Sequence, residues 1–361
     1  MSKLISRPGV KDAPLYIPGS HVAAVGLEPA ILSANENPLG PGDAAIAAYR
    51  GAADHLFRYP EGGATDLRTA IAKRFGLKAE RIICGAGSDE LLCFITRIFA
   101  GPGDEVLYSQ HGFMMYPINA IQVGATPVSA PETNLTTDVD ALLGAVTDKT
   151  KIVFVANPNN PTGSYISATE MTRLADGLPE GVVLVIDAAY AEYVSGNDYT
   201  AGVELVEARN NVIMTRTFSK MFGLAGLRLG WCYCSDEVAD LMNRMRGPFN
   251  INAPAQAAGI AAMEDIAHSQ ISKAHNDAMI KYLTTNLTAL GLEVPPSVGN
   301  FLLVGFGDGE TASRAYDYMM SKGVIARVMG GYGLPSYIRL TAGLEEECNR
   351  AIDALREFKG L

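Results

Sequence analysis

The chain has little of what would tie it to a membrane, a metal or an oxidising compartment. Its 361 residues include five cysteines, five histidines and one tryptophan. Cys84, Cys93, Cys232, Cys234 and Cys348 are odd in number and irregularly spaced, with no C-x-x-C pair. Reduced, buried thiols are therefore expected rather than a disulfide framework. His21, His55, His111, His268 and His275 add no metal-ligand spacing, so no metal site is expected. Met1 to Tyr16 carries charges and prolines but no apolar h-region, which argues against a secretory signal. No uninterrupted apolar run reaches membrane-spanning length. The sequons at Asn134 and Asn286 carry no weight without secretion. Positive charge is also scarce: the formal net charge is −10. That excludes broad affinity for nucleic acid or an acidic membrane surface. A cytoplasmic protein is expected, in which any anionic small molecule must be caught by a few placed arginines.

What is present is ample core. Hydrophobic residues make up 48% and charged residues 19%, globular values that suit two domains at this length. Residues 1–40, rich in proline and glycine, read as an arm. From Asp43 a helix runs to about Ala53, and Asp66 is placed to cap another through Phe75. Then come strand-like runs at 82–84, 106–108, 126–128, 151–156, 182–187, 211–215 and 229–234, several of them separated by helical patterns. The strongest are continuous rather than alternating, the signature of a mainly parallel sheet covered on both faces. Helices follow from Asp236 to about Leu290, with breaks near Gly247-Pro248 and Ala253-Pro254. Beyond Pro295-Pro296 the pattern becomes that of a smaller α+β domain. The division reads as an arm over 1–40, a large domain over 41–247 and a small one over 248–361.

Four stretches could carry chemistry. Thr217-Phe218-Ser219-Lys220 follows an apolar strand, and Arg228 lies eight residues beyond the lysine. An amine in so apolar a setting either reaches solvent or does chemistry. The hydroxyls and the arginine could bind a phosphate beside it, which suggests pyridoxal phosphate. Gly85-Ala86-Gly87-Ser88-Asp89 sits between a strand and a helix, an anion site of backbone N–H groups. Its G-x-G-x-x-G is incomplete because position 90 is Glu, which weighs against a dinucleotide. Asn157 to Gly163 follows the strongest strand, where parallel sheets bind ligands; an ordinary Asx/Pro turn is the alternative. Asp187 ends a buried strand and needs a partner. A protonated pyridine nitrogen is one candidate, with Tyr190 close enough in sequence to touch the same ligand, and an arginine is the other.

Taken together, Asn159-Asn160-Pro161-Thr162-Gly163, Asp187-x-x-Tyr190 and Ser219-Lys220-x7-Arg228 resemble the fold-type I pyridoxal phosphate aminotransferases. Asn35-Glu36-Asn37-Pro38, Arg58-Tyr59-Pro60, Gly87-Ser88-Asp89-Glu90, Gly330 to Pro335 and Ile338-Arg339-Leu340-Thr341 narrow the resemblance to the histidinol-phosphate aminotransferase family. The motifs keep their order from about residue 14 to the C-terminus. The resemblance implies an α/β large domain with a mainly parallel seven-stranded sheet, a smaller α+β domain, and a homodimer with shared active sites. Lys220 would attach the cofactor and shuttle the proton between substrate Cα and cofactor C4′. Asp187 would pair with the ring nitrogen, Asn160 and Tyr190 with its phenolic oxygen, and Phe113 would stack on the ring. Gly87, Ser88, Thr217, Ser219 and Arg228 would hold the phosphate, with Tyr59 reaching it from the neighbouring subunit. Arg339 would fork onto the α-carboxylate, and Asn35, Tyr16 and Arg327 would complete the substrate site. The implied reaction is transamination of histidinol phosphate with 2-oxoglutarate. An aromatic amino-acid aminotransferase, a threonine-phosphate decarboxylase and a non-catalytic binding protein on the same scaffold are the alternatives.

Overall fold

A computed structural model of the chain describes residues 6–16 and 28–361. His21 and the rest of the expected arm, 1–5 and 17–27, lie outside the described residues. The large sheet has seven strands: β1 (Ile82–Gly85), β2 (Glu105–Ser109), β3 (Thr126–Ala130), β4 (Thr150–Ala156), β5 (Val183–Asp187), β6 (Val212–Thr217) and β7 (Gly230–Tyr233). Their order is β1-β7-β6-β5-β4-β2-β3, and β7 alone runs antiparallel to its neighbours. Both faces are covered, which is why the strands read as continuous apolar runs. Val153, Val155, Leu184 and Ile186 join one core with helices Thr65–Phe75, Ala168–Gly177 and Ala253–Glu264. Their alternates Ile152, Phe154, Val183 and Val185 join the other, with Ser88–Phe99, Met115–Val123 and Asp236–Met245.

The C-terminal part builds an antiparallel sheet from β8 (Phe301–Gly305), β9 (Arg327–Val328) and β10 (Tyr337–Thr341), with β10 in the middle. Ala30–Ile31 pairs in parallel with Val324–Ile325, and Ala30 and Leu32 enter the core formed by Leu283, Leu287, Met319, Ile338 and Leu340. Segment 28–37 is therefore anchored in the C-terminal core before it crosses to the large sheet.

Two local expectations are corrected, and two features were not foreseen. Asp66 does not cap its helix. The helix begins at Thr65 after Ala64, which is left-handed at φ 49°, and the Glu61 carboxylate accepts from Gly63 N and Thr65 N at 2.8 and 2.7 Å. Ala253-Pro254 starts a helix instead of breaking one: Asn252 caps it, and a proline in the first turn lacks only an N–H that has no partner there. The unforeseen break is at Asp265, whose side chain caps the next helix through His268 N. Helix Met115–Val123 was not foreseen either, because Pro117 reads as a breaker although it falls in the first turn.

Candidate active site

The carboxyl ends of β1, β2, β4, β5 and β6 converge on a cavity of about 370 Å³. At β1 the chain turns through Gly87 at φ +84° into helix Ser88–Phe99. A Cβ on Gly87 would stand 2.6 Å from the Arg228 guanidinium, so a glycine keeps this approach open. Because β7 is antiparallel, Arg228, just before it, reaches the same sheet edge. Its guanidinium lies 3.4 Å from Ser219 Oγ and 3.3 Å from Asp89 Oδ2. Ser88, Thr217, Ser219 and Arg228 thus line one end of the cavity beside a helix N-terminus, a cradle suited to one phosphate. Asp89 was read as part of the anion-site turn, with no role for its carboxylate. It lies in the cradle as the arginine's counter-charge, and burial raises its carboxyl.

Lys220 stands beyond the end of β6. Its Nζ donates to Ala34 O at 3.0 Å, and burial, assisted by the Arg339 charge, lowers its amine to about 8. Roughly a tenth of it is then neutral and nucleophilic at pH 7, far more than at the ordinary lysine value. Asp187 is 5% exposed, and among the described residues no arginine meets it. Tyr116 OH donates to Oδ2 at 2.9 Å and Thr215 Oγ1 to Oδ1 at 3.1 Å, yet burial pushes the carboxyl up to about 6. Neither donor was foreseen. Thr215 sits directly opposite Asp187 in the β5–β6 register, a pairing that no sequence motif marks. Tyr116 lies on the helix that the sequence pattern hides. Phe113 lines the cavity edge-on to Tyr116, ring centroids 5.9 Å apart.

At the other end stands Arg339 on β10, 6% exposed. Its guanidinium donates to Asn160 Oδ1 at 2.5 Å and to Ser33 O at 2.7 Å, both neutral oxygens. Burial lowers its pKa. Arg327 on β9 is its cross-strand partner and lines the same cavity, as do Tyr16 and Tyr332. Asn35, left-handed at φ 55°, donates from Nδ2 to Tyr190 OH at 2.9 Å; Thr341 Oγ1 accepts from its backbone N–H at 3.0 Å. Asn300 Nδ2 holds Asn35 O at 2.9 Å. Ser33 and Asn300 carry no motif of their own and were not foreseen; Thr341 stands in the Ile338–Thr341 motif, but no role was assigned to it. Tyr59 is not brought to this cavity: it is 83% exposed and stacks on Phe249 at 4.7 Å.

These residues fit pyridoxal phosphate on structural grounds. Asp187 is a buried carboxylate with no cation against it, as a protonated ring nitrogen requires. The anion cradle and the low-pKa amine lie in the same cavity. Fold and site together define a fold-type I pyridoxal phosphate enzyme. Residues 29–355 match the family model described as aminotransferase class I and II. The chain is 55% identical, over 98% of each sequence, to the histidinol-phosphate aminotransferase of Paramagnetospirillum magneticum. It is 52% identical to that of Rhodospirillum centenum over 99% of each. The crystal structure of the Sinorhizobium meliloti histidinol-phosphate aminotransferase in complex with pyridoxal-5'-phosphate superposes with a TM-score of 0.88 at 30% identity, covering 91% of this chain and 90% of that one. The chain belongs to the histidinol-phosphate aminotransferase family.

Proposed function

We propose that the chain interconverts histidinol phosphate and imidazole acetol phosphate, with glutamate and 2-oxoglutarate as the second pair. The observation that carries this is Arg339, buried yet bonded only to neutral oxygens, with Arg327 opposite it in the cavity. A buried guanidinium in that state is complemented by an anionic ligand that forks onto it. Two arginines suit the phosphate of one substrate and the carboxylates of the other. Pyridoxal phosphate, when bound, supplies an electron sink for the carbon that loses its proton. In this reading Ser88, Thr217, Ser219 and Arg228 hold its phosphate, with Gly87 leaving room. Asp187 faces its ring nitrogen, and Asn160 and Tyr190 its phenolic oxygen. Phe113 packs on the ring, and Lys220 Nζ takes and returns the proton at the substrate carbon. Tyr16, Asn35 and Arg327 complete the substrate end.

The same reading takes the chain as a cytoplasmic homodimer divided into 1–40, 41–247 and 248–361. Among the described residues no helix is long and apolar enough to cross a membrane. The exposed run Leu56, Phe57 and Tyr59 supports a covering partner, into whose cavity Tyr59 would reach. Initial rates with histidinol phosphate, phenylalanine and threonine phosphate test the substrate. Clear preference for phenylalanine, or decarboxylation of threonine phosphate, overturns the reading; cofactor binding without turnover of any amino donor marks a binding protein.

A further inference from the structure

Among the described residues two side chains donate to Asp187, beside the backbone N–H of Ala189, and the two come from different layers. Thr215 belongs to the neighbouring strand; Tyr116 comes from helix Met115–Val123, which covers the sheet. Tyr116 is fully buried, with its ring flat on Phe154 at 4.7 Å and 3°. Its edge contact with Phe113 links it to the cavity wall. A phenol so clamped has one orientation for its hydroxyl, and that hydroxyl meets a carboxylate that the ring nitrogen must also meet. A carboxylate and a pyridine nitrogen hold one proton between them. Each donor to the carboxylate stabilises its charged form and so leaves the proton on the ring.

We propose that Tyr116 is a positioning residue that acts through Asp187 to keep the cofactor ring nitrogen protonated. This rests on the pyridoxal phosphate reading of the site. The charged and titratable groups facing Asp187 from the packed elements are few. Asp89 raises its proton affinity, and the phenols of Tyr190 and Tyr199 lie near its charge. Tyr116 and Thr215 act in the opposite direction.

The direct test loads the holoenzyme with pyridoxal phosphate carrying 15N in the ring and reads that nitrogen's chemical shift from pH 6 to 9. In the parent protein the shift is that of a protonated ring. In Tyr116→Phe, which keeps the stacked ring, it moves towards the unprotonated value within that range. The kcat falls roughly tenfold while KM stays within about twofold. In an Asp187→Asn background the same substitution has no further effect on kcat. A protonated shift in both proteins, or an equal loss in both backgrounds, overturns the proposal. Should Tyr116→Phe fail to fold, Thr215→Val removes the second donor, must move the shift in the same direction, and overturns the proposal if it leaves the shift unchanged. Failure of the parent to develop the visible absorbance of Lys220-bound cofactor would instead sink the cofactor reading itself.

Discussion

The two ends of the cavity are built on different plans. The cofactor end is made of strand termini that follow one another along the sheet edge, and it carries both signs of charge: Asp187 and Asp89 against Lys220 and Arg228. The other end is assembled from residues 16, 33–35, 327, 332 and 339, held by β10 and by a segment anchored in the C-terminal core. There the two arginines line the wall, and the hydrogen bonds of Arg339 go to a backbone carbonyl and an amide. The first end pairs Arg228 with Asp89 and leaves Asp187 to be met by a ring cation. The second sets two arginines in one wall, and the guanidinium of Arg339 there bonds neutral oxygens that an anionic substrate group can outcompete. Substitutions at the first should therefore abolish chemistry, and those at the second should change affinity and choice.

Lys220→Ala is the sharpest break. In the proposed reading it removes both the amine that attaches the cofactor and the group that moves the proton. Turnover should fall by about 10⁴-fold or more, with loss of the visible absorbance of the bound cofactor. A variant that keeps even a tenth of its activity would show that the amine at about 8 is not the acting base.

Arg339→Lys should cost less and cost it differently. A lysine keeps the charge but loses the fork, so KM for glutamate and 2-oxoglutarate should rise roughly 10- to 100-fold while kcat holds within a few-fold. Half-reaction kinetics separate the two terms. An equal loss in kcat would move Arg339 to the chemical end of the cavity.

The same contrast explains how far the sequence could be read. The cofactor end was legible because each contributor sits where a strand ends, so a short motif marks it: Gly87-Ser88, Asn160, Asp187-x-x-Tyr190, Ser219-Lys220. The seven-strand sheet was legible because burial of both faces writes itself as apolar runs. What stayed hidden acts through tertiary contacts. Tyr116 sits on a helix disguised by Pro117, and Thr215 is one residue of an apolar strand until register places it beside Asp187. Ser33 meets Arg339 through its backbone carbonyl, which no side-chain pattern can announce.

Asp187 also makes the cofactor end expensive when it is empty. Its carboxyl, ordinarily at 3.8, is held near 6 in the fold. The folded form thus binds the proton more tightly than the unfolded chain. The resulting stability is present at low pH and lost as pH rises through about 6, leaving a cost of roughly 3 kcal/mol at pH 7–8. Asp187→Asn should therefore stabilise the cofactor-free protein in that range by up to about that amount, read from denaturant midpoints. The gain should shrink below pH 4, while cofactor affinity falls. A variant less stable at pH 8 would show that Tyr116 and Thr215 already compensate the buried charge.

The smallest effect belongs to Tyr16, and it tests whether the substrate end is as loosely built as its scattered residues imply. Tyr16 is 44% exposed and reaches the cavity wall near Tyr332 and Arg339. A half-exposed phenol can give one hydrogen bond that competes with water, about 0.5–1.5 kcal/mol. Tyr16→Phe should lower kcat/KM for the phosphorylated substrate by about two- to tenfold and leave the glutamate half-reaction unchanged, since Arg339 serves both. Stopped-flow rates for each half-reaction measure the two separately. A loss beyond 100-fold, or an equal loss with glutamate, would mean that the arm is clamped over the substrate as firmly as Asp187 is held by its strand.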